Sequence, residues 1–264
     1  MKSIQLQGVY VPTASPFNHE GDLYPSKVRF NVEKLNKLSL AGYVVGGSTG
    51  ETVFLTEREK IDLWEMVASA AAPEKQLIAG TGVESVRETV SLTNRAAEMG
   101  YKAALVITPH YYKSQLNKDD AQCLYYHSVA DQSKIPLILY SIPQNTGIDL
   151  SVEAVIRLSA HPNIVGIKES SGNVDKVKRL CAEVGNGFQI TVGSAPTFYP
   201  GLVAGAVGGI FALANAAPYG IITVWEAFRT REFEAAEDWQ NRIRRPAELV
   251  TSKYGVAGLK YAMD

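Results

Sequence analysis

Cysteine is nearly absent from this chain. The two present, Cys123 and Cys181, are far apart and in no CxxC or His-paired spacing, which argues against a disulfide framework and a zinc site and fits a reducing compartment. No sign of charge dominates: 26 Lys and Arg stand against 27 Asp and Glu, for a formal net charge of −1. The densest basic stretch, Arg242 to Arg245, falls inside a helical pattern and reads as a solvated helix face, so no nucleic-acid partner is expected. No apolar run reaches the length of a membrane span, and Met1 to Gly8 lacks the charged-then-apolar pattern of a signal peptide. A soluble, cytoplasmic protein is therefore expected. The four histidines, His19, His110, His127 and His161, have no ligand spacing, so no metal is expected. The GxxxxGK[ST] and GxGxxG spacings are missing, which removes the usual nucleotide-phosphate cradles, and a Ser–His–Asp triad is not expected.

What is present is an ordinary globular composition, 46% hydrophobic and 20% charged, with no Pro/Gly/Ser-rich linker in 264 residues. Eight short apolar runs recur: Gly8 to Thr13, Tyr43 to Gly47, Gln76 to Gly80, Ala103 to Thr108, Ile135 to Ser141, Ile164 to Lys168, Phe188 to Gly193 and Ala206 to Phe211. Each is followed by a segment with helical spacing. Runs such as PLILYS and NIVGIK are apolar on consecutive residues, as in a parallel sheet covered on both faces. Thr56 with Glu59 and Ser85 with Glu88 read as capping boxes opening the helices after the second and third strands. Eight strands alternating with helices predict one α/β domain over 1–264, a closed (β/α)₈ TIM barrel, with no repeat in the sequence itself. Two more helical patterns, Arg231 to Val250 and Gly255 to Met263, form a C-terminal helical extension over about 231–264. They are expected to pack outside the barrel or against another subunit.

In such a barrel, active-site residues come from strand C-termini and the loops after them. Lys168 ends IVGIK and would point into the mouth from a buried strand. Desolvation would lower its pKa from about 10.4 toward neutrality and leave an amine able to form an imine with a ketone. The bland alternative is a lysine that snorkels to solvent or pairs with Glu169. Tyr140 ends the neighbouring run PLILY, in reach to move protons at that imine, or else is a core tyrosine capping a backbone group. The turn Gly46-Gly47-Ser48-Thr49-Gly50-Glu51 could cradle a carboxylate on its N–H groups and hydroxyls, or be only a tight turn. Tyr111 and Tyr112 follow Pro109 on a loop, where an interface or a substrate would cover them. His110, nearby, reads as a loop residue and not as a base.

The segments GSTGE, TPHYYK, YSIPQNTG, GIKES and GAVGGIFALAN, in this order from Gly8 to about Asp264, resemble the dihydrodipicolinate synthase / N-acetylneuraminate lyase family of class I aldolases. The resemblance implies a homotetramer built as a dimer of dimers, no metal or organic cofactor, and Lys168 as the Schiff-base lysine. It further implies Tyr140 as the proton shuttle, Ser48 and Thr49 as the hydroxyl pair on the pyruvate carboxylate beside Gly50, and Tyr112 as a tyrosine reaching into a neighbouring subunit's site. Most members have Thr where Ser48 stands; either supplies the hydroxyl. Relatives usually continue past the position of Asp264 into further helix, so the last element here is expected to be truncated or replaced.

In dihydrodipicolinate synthases the position of Asn145 is typically arginine, which binds the carboxylate of aspartate semialdehyde. Asn is shorter and neutral and cannot act as that bidentate clamp. YSIPQNTGIDL, HPNIVGIKES, GSAP and YGVAGLKYAMD look most like 4-hydroxy-2-oxoglutarate aldolase, with Ser170 falling near the substrate. The expected partners are thus a 2-oxo acid and an aldehyde. Dihydrodipicolinate synthesis and cleavage of a 2-keto-3-deoxy sugar acid are rival readings within the same chemistry, and a barrel that only senses a 2-oxo acid is the rival outside it.

Overall fold

The computed structural model describes residues 4–264. The first three residues of the Met1 to Gly8 segment, read above as no signal peptide, lie outside the described residues. Eight strands, β1 (Gly8–Pro12), β2 (Gly42–Val45), β3 (Gln76–Gly80), β4 (Ala103–Ile107), β5 (Leu137–Ser141), β6 (Ile164–Glu169), β7 (Gln189–Val192) and β8 (Gly208–Ile210), pair in parallel in sequence order. β1 also pairs with β8, which closes the barrel. The strand ends differ from the apolar runs by no more than two residues, within the ordinary spread of element boundaries.

The helices are α1 (Pro25–Leu35), α2 (Glu57–Ala70), α3 (Val86–Glu98), α4 (Lys113–Leu116), α5 (Asp119–Ala130), α6 (Pro143–Thr146), α7 (Val152–Ser159), α8 (Val174–Glu183), α9 (Phe198–Val203), α10 (Pro218–Arg229), α11 (Phe233–Ala247) and α12 (Gly255–Met263). Thr56 and Glu59 form the full reciprocal box at α2. At α3 only half of the expected box exists: Ser85 Oγ accepts from the Glu88 N–H, and no return bond from the Glu88 carboxylate accompanies it. No described helix is long and apolar enough to cross a membrane.

Strand alternation divides the apolar residues into two cores. Leu6, Tyr10, Val44, Ile78, Leu105 and Ile138 fill the barrel, while Val9, Tyr43, Val45, Ala79, Leu139 and Ile167 face the helices. β6 changes phase within its length: Leu137 pairs with Ile164 but Ile138 pairs with Gly166, so Val165 is an extra residue against β5. Ile164 belongs to the outer core, and simple alternation from it would turn Lys168 inward only if one residue were added. The bulge supplies that residue.

The C-terminal extension departs from expectation. α11 packs along α10 outside the barrel as predicted, but the pattern expected to run to Val250 changes at its end. Pro246 lacks the N–H that would continue the ladder, and a π-helical turn over Glu248–Lys253 follows. Gly255, at φ +61°, then lets the chain reverse, and the turn and α12 come back over the barrel mouth instead of remaining outside it.

Trp64 of α2 joins the helix layer to the end of β2: it is fully buried and donates from Nε1 to the Val45 carbonyl at 3.2 Å, and its own carbonyl accepts from Tyr101 Oη at 3.0 Å. Trp64→Ala is expected to cost about 3–5 kcal/mol in urea unfolding through the cavity it leaves. A loss under about 1 kcal/mol would mean that this corner of the core carries little of the fold.

Candidate active site

A cavity of about 470 Å³ opens at the C-terminal ends of the strands. Ser48, Thr49, Tyr140, Asn145, Lys168 and Ser170 all line it, so six of the expected site residues come together in one chain. Two do not. Gly50 faces away: its N–H donates to the Gly47 carbonyl within the turn, and its own carbonyl accepts from Ser15 Oγ at 2.7 Å. Tyr112 lies outside the cavity at 68% exposure, edge-on to Tyr111, with ring centroids 5.0 Å apart.

Lys168 and Tyr140 are direct neighbours across the β5/β6 ladder, and both are nearly fully buried. The Lys168 ammonium position lies 4.1 Å from the Tyr140 ring centroid. The alternative in which Lys168 pairs with Glu169 does not hold, because consecutive strand residues face opposite ways. Glu169 points outward, accepts from the Ser171 N–H at 2.8 Å and its hydroxyl at 2.9 Å, and lies 3.6 Å from Lys176 Nζ. Burial pushes the Glu169 carboxyl above its ordinary range, with Lys176 and the Ser171 donors pulling against it. Among the described residues no carboxylate lies within ion-pair distance of Lys168.

The Ser48–Gly50 segment is a 3₁₀ turn. As the first residues of a helical turn, Ser48 and Thr49 leave their N–H groups free of backbone partners among the described residues. Two free N–H groups and two hydroxyls are suited to a carboxylate. Tyr140 Oη reaches Ser48 Oγ at 3.5 Å, a long contact that links phenol and turn. Gly46 to Gly50 does have the GxSxG spacing, yet Ser48 is no nucleophile elbow. The left-handed positions are Gly46, at φ 74°, and Glu51, at φ 56°, not Ser48, and among the described residues no histidine lines the cavity. His110 sits 3.3 Å from a Glu84 carboxylate oxygen, outside the cavity.

On the opposite wall Ser170 Oγ is buried without a hydrogen-bond partner among the described residues, an unpaired group facing the space a substrate would fill. Asn145 is exposed on α6 at the rim.

Several lining residues were not identified from sequence. Gln144 donates from Nε2 to the Ser170 and Ser171 carbonyls, at 3.0 Å each, tying α6 to the loop after β6. Gly193, which ends the seventh apolar run and opens GSAP, has room for no side chain: a Cβ there would sit 1.8 Å from Ser170 Oγ and 3.1 Å from Lys168 Cε. Val250, Thr251, Ser252, Val256 and Leu259 roof the cavity from the π turn and α12. Lys260 of α12 makes an ion pair with Glu51 and stands over the Phe17 ring, which anchors the roof beside the Ser48–Gly50 turn.

The model of the Dihydrodipicolinate synthetase family matches residues 5–264. A probable mitochondrial 4-hydroxy-2-oxoglutarate aldolase of Emericella nidulans is 35% identical, over 97% of this chain and 84% of the relative. A 4-hydroxy-tetrahydrodipicolinate synthase of an Exiguobacterium species is 33% identical, over 89% and 80%. An L-threo-3-deoxy-hexylosonate aldolase of Hypocrea jecorina is 34% identical, over 97% and 85%. Among solved structures, the chloride-inhibited dihydrodipicolinate synthase of Acinetobacter baumannii complexed with pyruvate superposes with a TM-score of 0.92 at 29% identity, over 97% of this chain and 87% of that one.

Gly193→Ala is the sharpest steric test of the cavity, since the added methyl must displace the Ser170 side chain and presses on Lys168 Cε. Turnover should fall by about 100-fold or more with an unchanged circular dichroism spectrum, the cost of moving reacting groups by about 1 Å. Wild-type turnover would show that these groups are not used as placed.

Proposed function

The chain belongs to the dihydrodipicolinate synthetase family, and on that premise we propose that it cleaves 4-hydroxy-2-oxoglutarate to pyruvate and glyoxylate through an imine on Lys168. The named relatives are aldolases and synthases, and this chain is a carbon–carbon lyase of that family. The observation that carries the finer reading is the buried, carboxylate-free amine of Lys168 beside Tyr140.

In this reading the Lys168 amine adds to the C2 ketone of the substrate and water leaves, giving a protonated imine. The 4-hydroxyl gives its proton to the Tyr140 relay, the C3–C4 bond breaks, and glyoxylate departs as the bond electrons move into the imine to give an enamine. C3 then takes a proton through Tyr140, and water hydrolyses the imine to free pyruvate and Lys168. Ser48 and Thr49 hold the carboxylate next to C2, with Ser48 also hydrogen-bonded to the Tyr140 phenol. Ser170, whose hydroxyl lacks a partner, receives the distal end of the substrate, near Asn145. Gly50 serves the shape of the turn, not contact with substrate.

The substrate choice rests on charge. Among the described residues Lys168 is the one cationic side chain lining the cavity, and Asn145 brings no second. Aspartate semialdehyde carries its carboxylate at the far end of the chain, where a missing charge-assisted hydrogen bond costs roughly 1.5–3 kcal/mol. Glyoxylate keeps its carboxylate beside the reacting carbon, within reach of hydroxyl and backbone donors near Ser170. A second reading, cleavage of a 2-keto-3-deoxy sugar acid, is favoured by the hydroxyls of Ser194, Thr251 and Ser252 around the outer cavity and by the relative from Hypocrea jecorina.

We also read the chain as one domain of a cytoplasmic protein and as part of a homotetramer, a dimer of dimers. Val53, Phe54, Tyr111 and Tyr112 are all highly exposed on loops at the mouth end of the barrel, and apolar side chains there are expected to be covered by another subunit. Tyr112 would then enter the neighbour's cavity.

Two experiments test this. With pyruvate and a panel of aldehydes, kcat/KM for glyoxylate should exceed that for aspartate semialdehyde by at least about tenfold, and Asn145→Arg should narrow or reverse the gap. Preference of the unaltered enzyme for aspartate semialdehyde would replace this reading with dihydrodipicolinate synthesis, and preference for glyceraldehyde with the sugar-acid reading. For the shared site, Tyr112→Phe and Tyr140→Phe subunits, each impaired alone, should regain activity in mixed oligomers. No recovery in verified mixtures would mean that each site is built from a single chain.

A further inference from the structure

We propose that Lys176 is a positioning residue, clamping the tops of β5 and β6 from outside the barrel and so setting the placement of Tyr140 against Lys168. The proposal rests on the imine reading above.

The strand register carries the argument. Tyr140 pairs with Lys168 on the inner face, and at the next step Ser141 pairs with Glu169 on the outer face. The two outward residues share one cation. Lys176 Nζ lies 2.5 Å from Asp149 Oδ1 and 3.6 Å from Glu169 Oε1. Asp149 Oδ1 also accepts from Ser141 Oγ at 2.6 Å, and Ser141 Oγ in turn accepts from the Leu150 N–H at 3.2 Å. One lysine is thus joined to β6 through Glu169 and to β5 through Asp149 and Ser141.

The same network holds the flanking loops. Glu169 receives the N–H and hydroxyl of Ser171, which brackets Ser170 between two fixed neighbours. Asp149 lies just beyond α6, which carries Gln144 and Asn145. The arm to β6 is dry, with the side chains of Lys176 and Glu169 6% and 1% exposed, whereas Asp149, on the arm to β5, is 45% exposed.

Lys176 occupies an unfavourable place for a lysine. It stands in the first turn of α8, where the unpaired N–H groups disfavour a cation, and its buried position costs further desolvation. A residue that breaks both local rules needs a compensating partner set, and the two carboxylates supply it. Replacing the cation by an apolar chain would leave the barrel closed, since the ladder bonds and both cores remain. What it would remove is the link that prevents β5 and β6 from shifting relative to each other at their tops, where Tyr140 Oη has only a 3.5 Å contact to hold it.

The test is exchange of the pyruvate methyl protons in D₂O, followed by NMR, because exchange needs both the Lys168 imine and the proton relay but no aldehyde. Lys176→Met should lower the exchange kcat by about tenfold or more with the pyruvate KM changed less than about twofold, the split expected when reacting groups are misplaced after binding. Lys176→Arg, which can reach both carboxylates, should restore most of the rate. The double variant Lys176→Met/Glu169→Gln leaves no buried carboxylate unpaired; it should regain thermal stability without regaining exchange. Wild-type exchange in Lys176→Met, or recovery of exchange together with stability in the double variant, would overturn the positioning role. Absence of exchange in the unaltered enzyme would instead overturn the imine reading, and this proposal with it.

Discussion

A primary amine buried beside a tyrosine with no carboxylate within ion-pair distance is the constraint on which the site depends. An ammonium group in a dry position ordinarily draws a carboxylate partner, because desolvating a lone charge is costly. At Lys168 the nearest acid in sequence, Glu169, is turned to the other face of the strand and committed to Lys176 and Ser171. The barrel enforces this separation. In a closed parallel sheet each strand must alternate between a filled interior and a helix-covered exterior, and the extra residue at Val165 selects which of the two Lys168 enters. Everything else in the cavity is arranged around that amine: free N–H groups and hydroxyls at the Ser48–Gly50 turn, and the unpaired Ser170 hydroxyl held open by the absence of a side chain at Gly193.

The cavity is bounded by parts with different mechanical roles. Its floor and near walls are strand tops, fixed by the ladder and by packing on both faces. Its roof is a π turn and a short helix, made possible by Pro246 and Gly255 and held by the Lys260–Glu51 pair. An ion pair that is partly exposed at both ends contributes little stability on its own. Its effect is geometric: Glu51 follows the turn that presents Ser48 and Thr49, so the roof and that turn are located by the same contact. The outer part of the cavity is thus lined both by α6, which carries Asn145, and by the roof, which carries Thr251 and Ser252.

Much of this was legible in sequence. Eight apolar runs marked the eight strands, and the rule that strand tops converge was enough to bring Lys168, Tyr140, Ser48 and Thr49 together. The full cap at α2 was readable from Thr56 and Glu59, while Ser85 and Glu88 had the same spacing and made only half of it, since a side chain free to turn to solvent need not return to the cap. The roof was not legible, because nothing in the helical periodicity of a C-terminal segment says which part of the barrel it will cover. Gln144 and Gly193 were missed for a related reason: their roles depend on carbonyls and side chains distant in sequence. Gly50 stands in the motif that the resemblance places on the carboxylate, yet its carbonyl and N–H are used inside the protein.

Covalent chemistry at Lys168 is the step on which the proposed reaction depends most directly. Pyruvate and borohydride should be incubated with the native enzyme, followed by proteolysis and mass spectrometry, so that any imine is reduced to a stable secondary amine. The account predicts one reduced pyruvate unit per chain, carried by the peptide containing Lys168, and no adduct in Lys168→Ala. An adduct on another lysine, or an unmodified Lys168 in enzyme that turns over substrate, would contradict it.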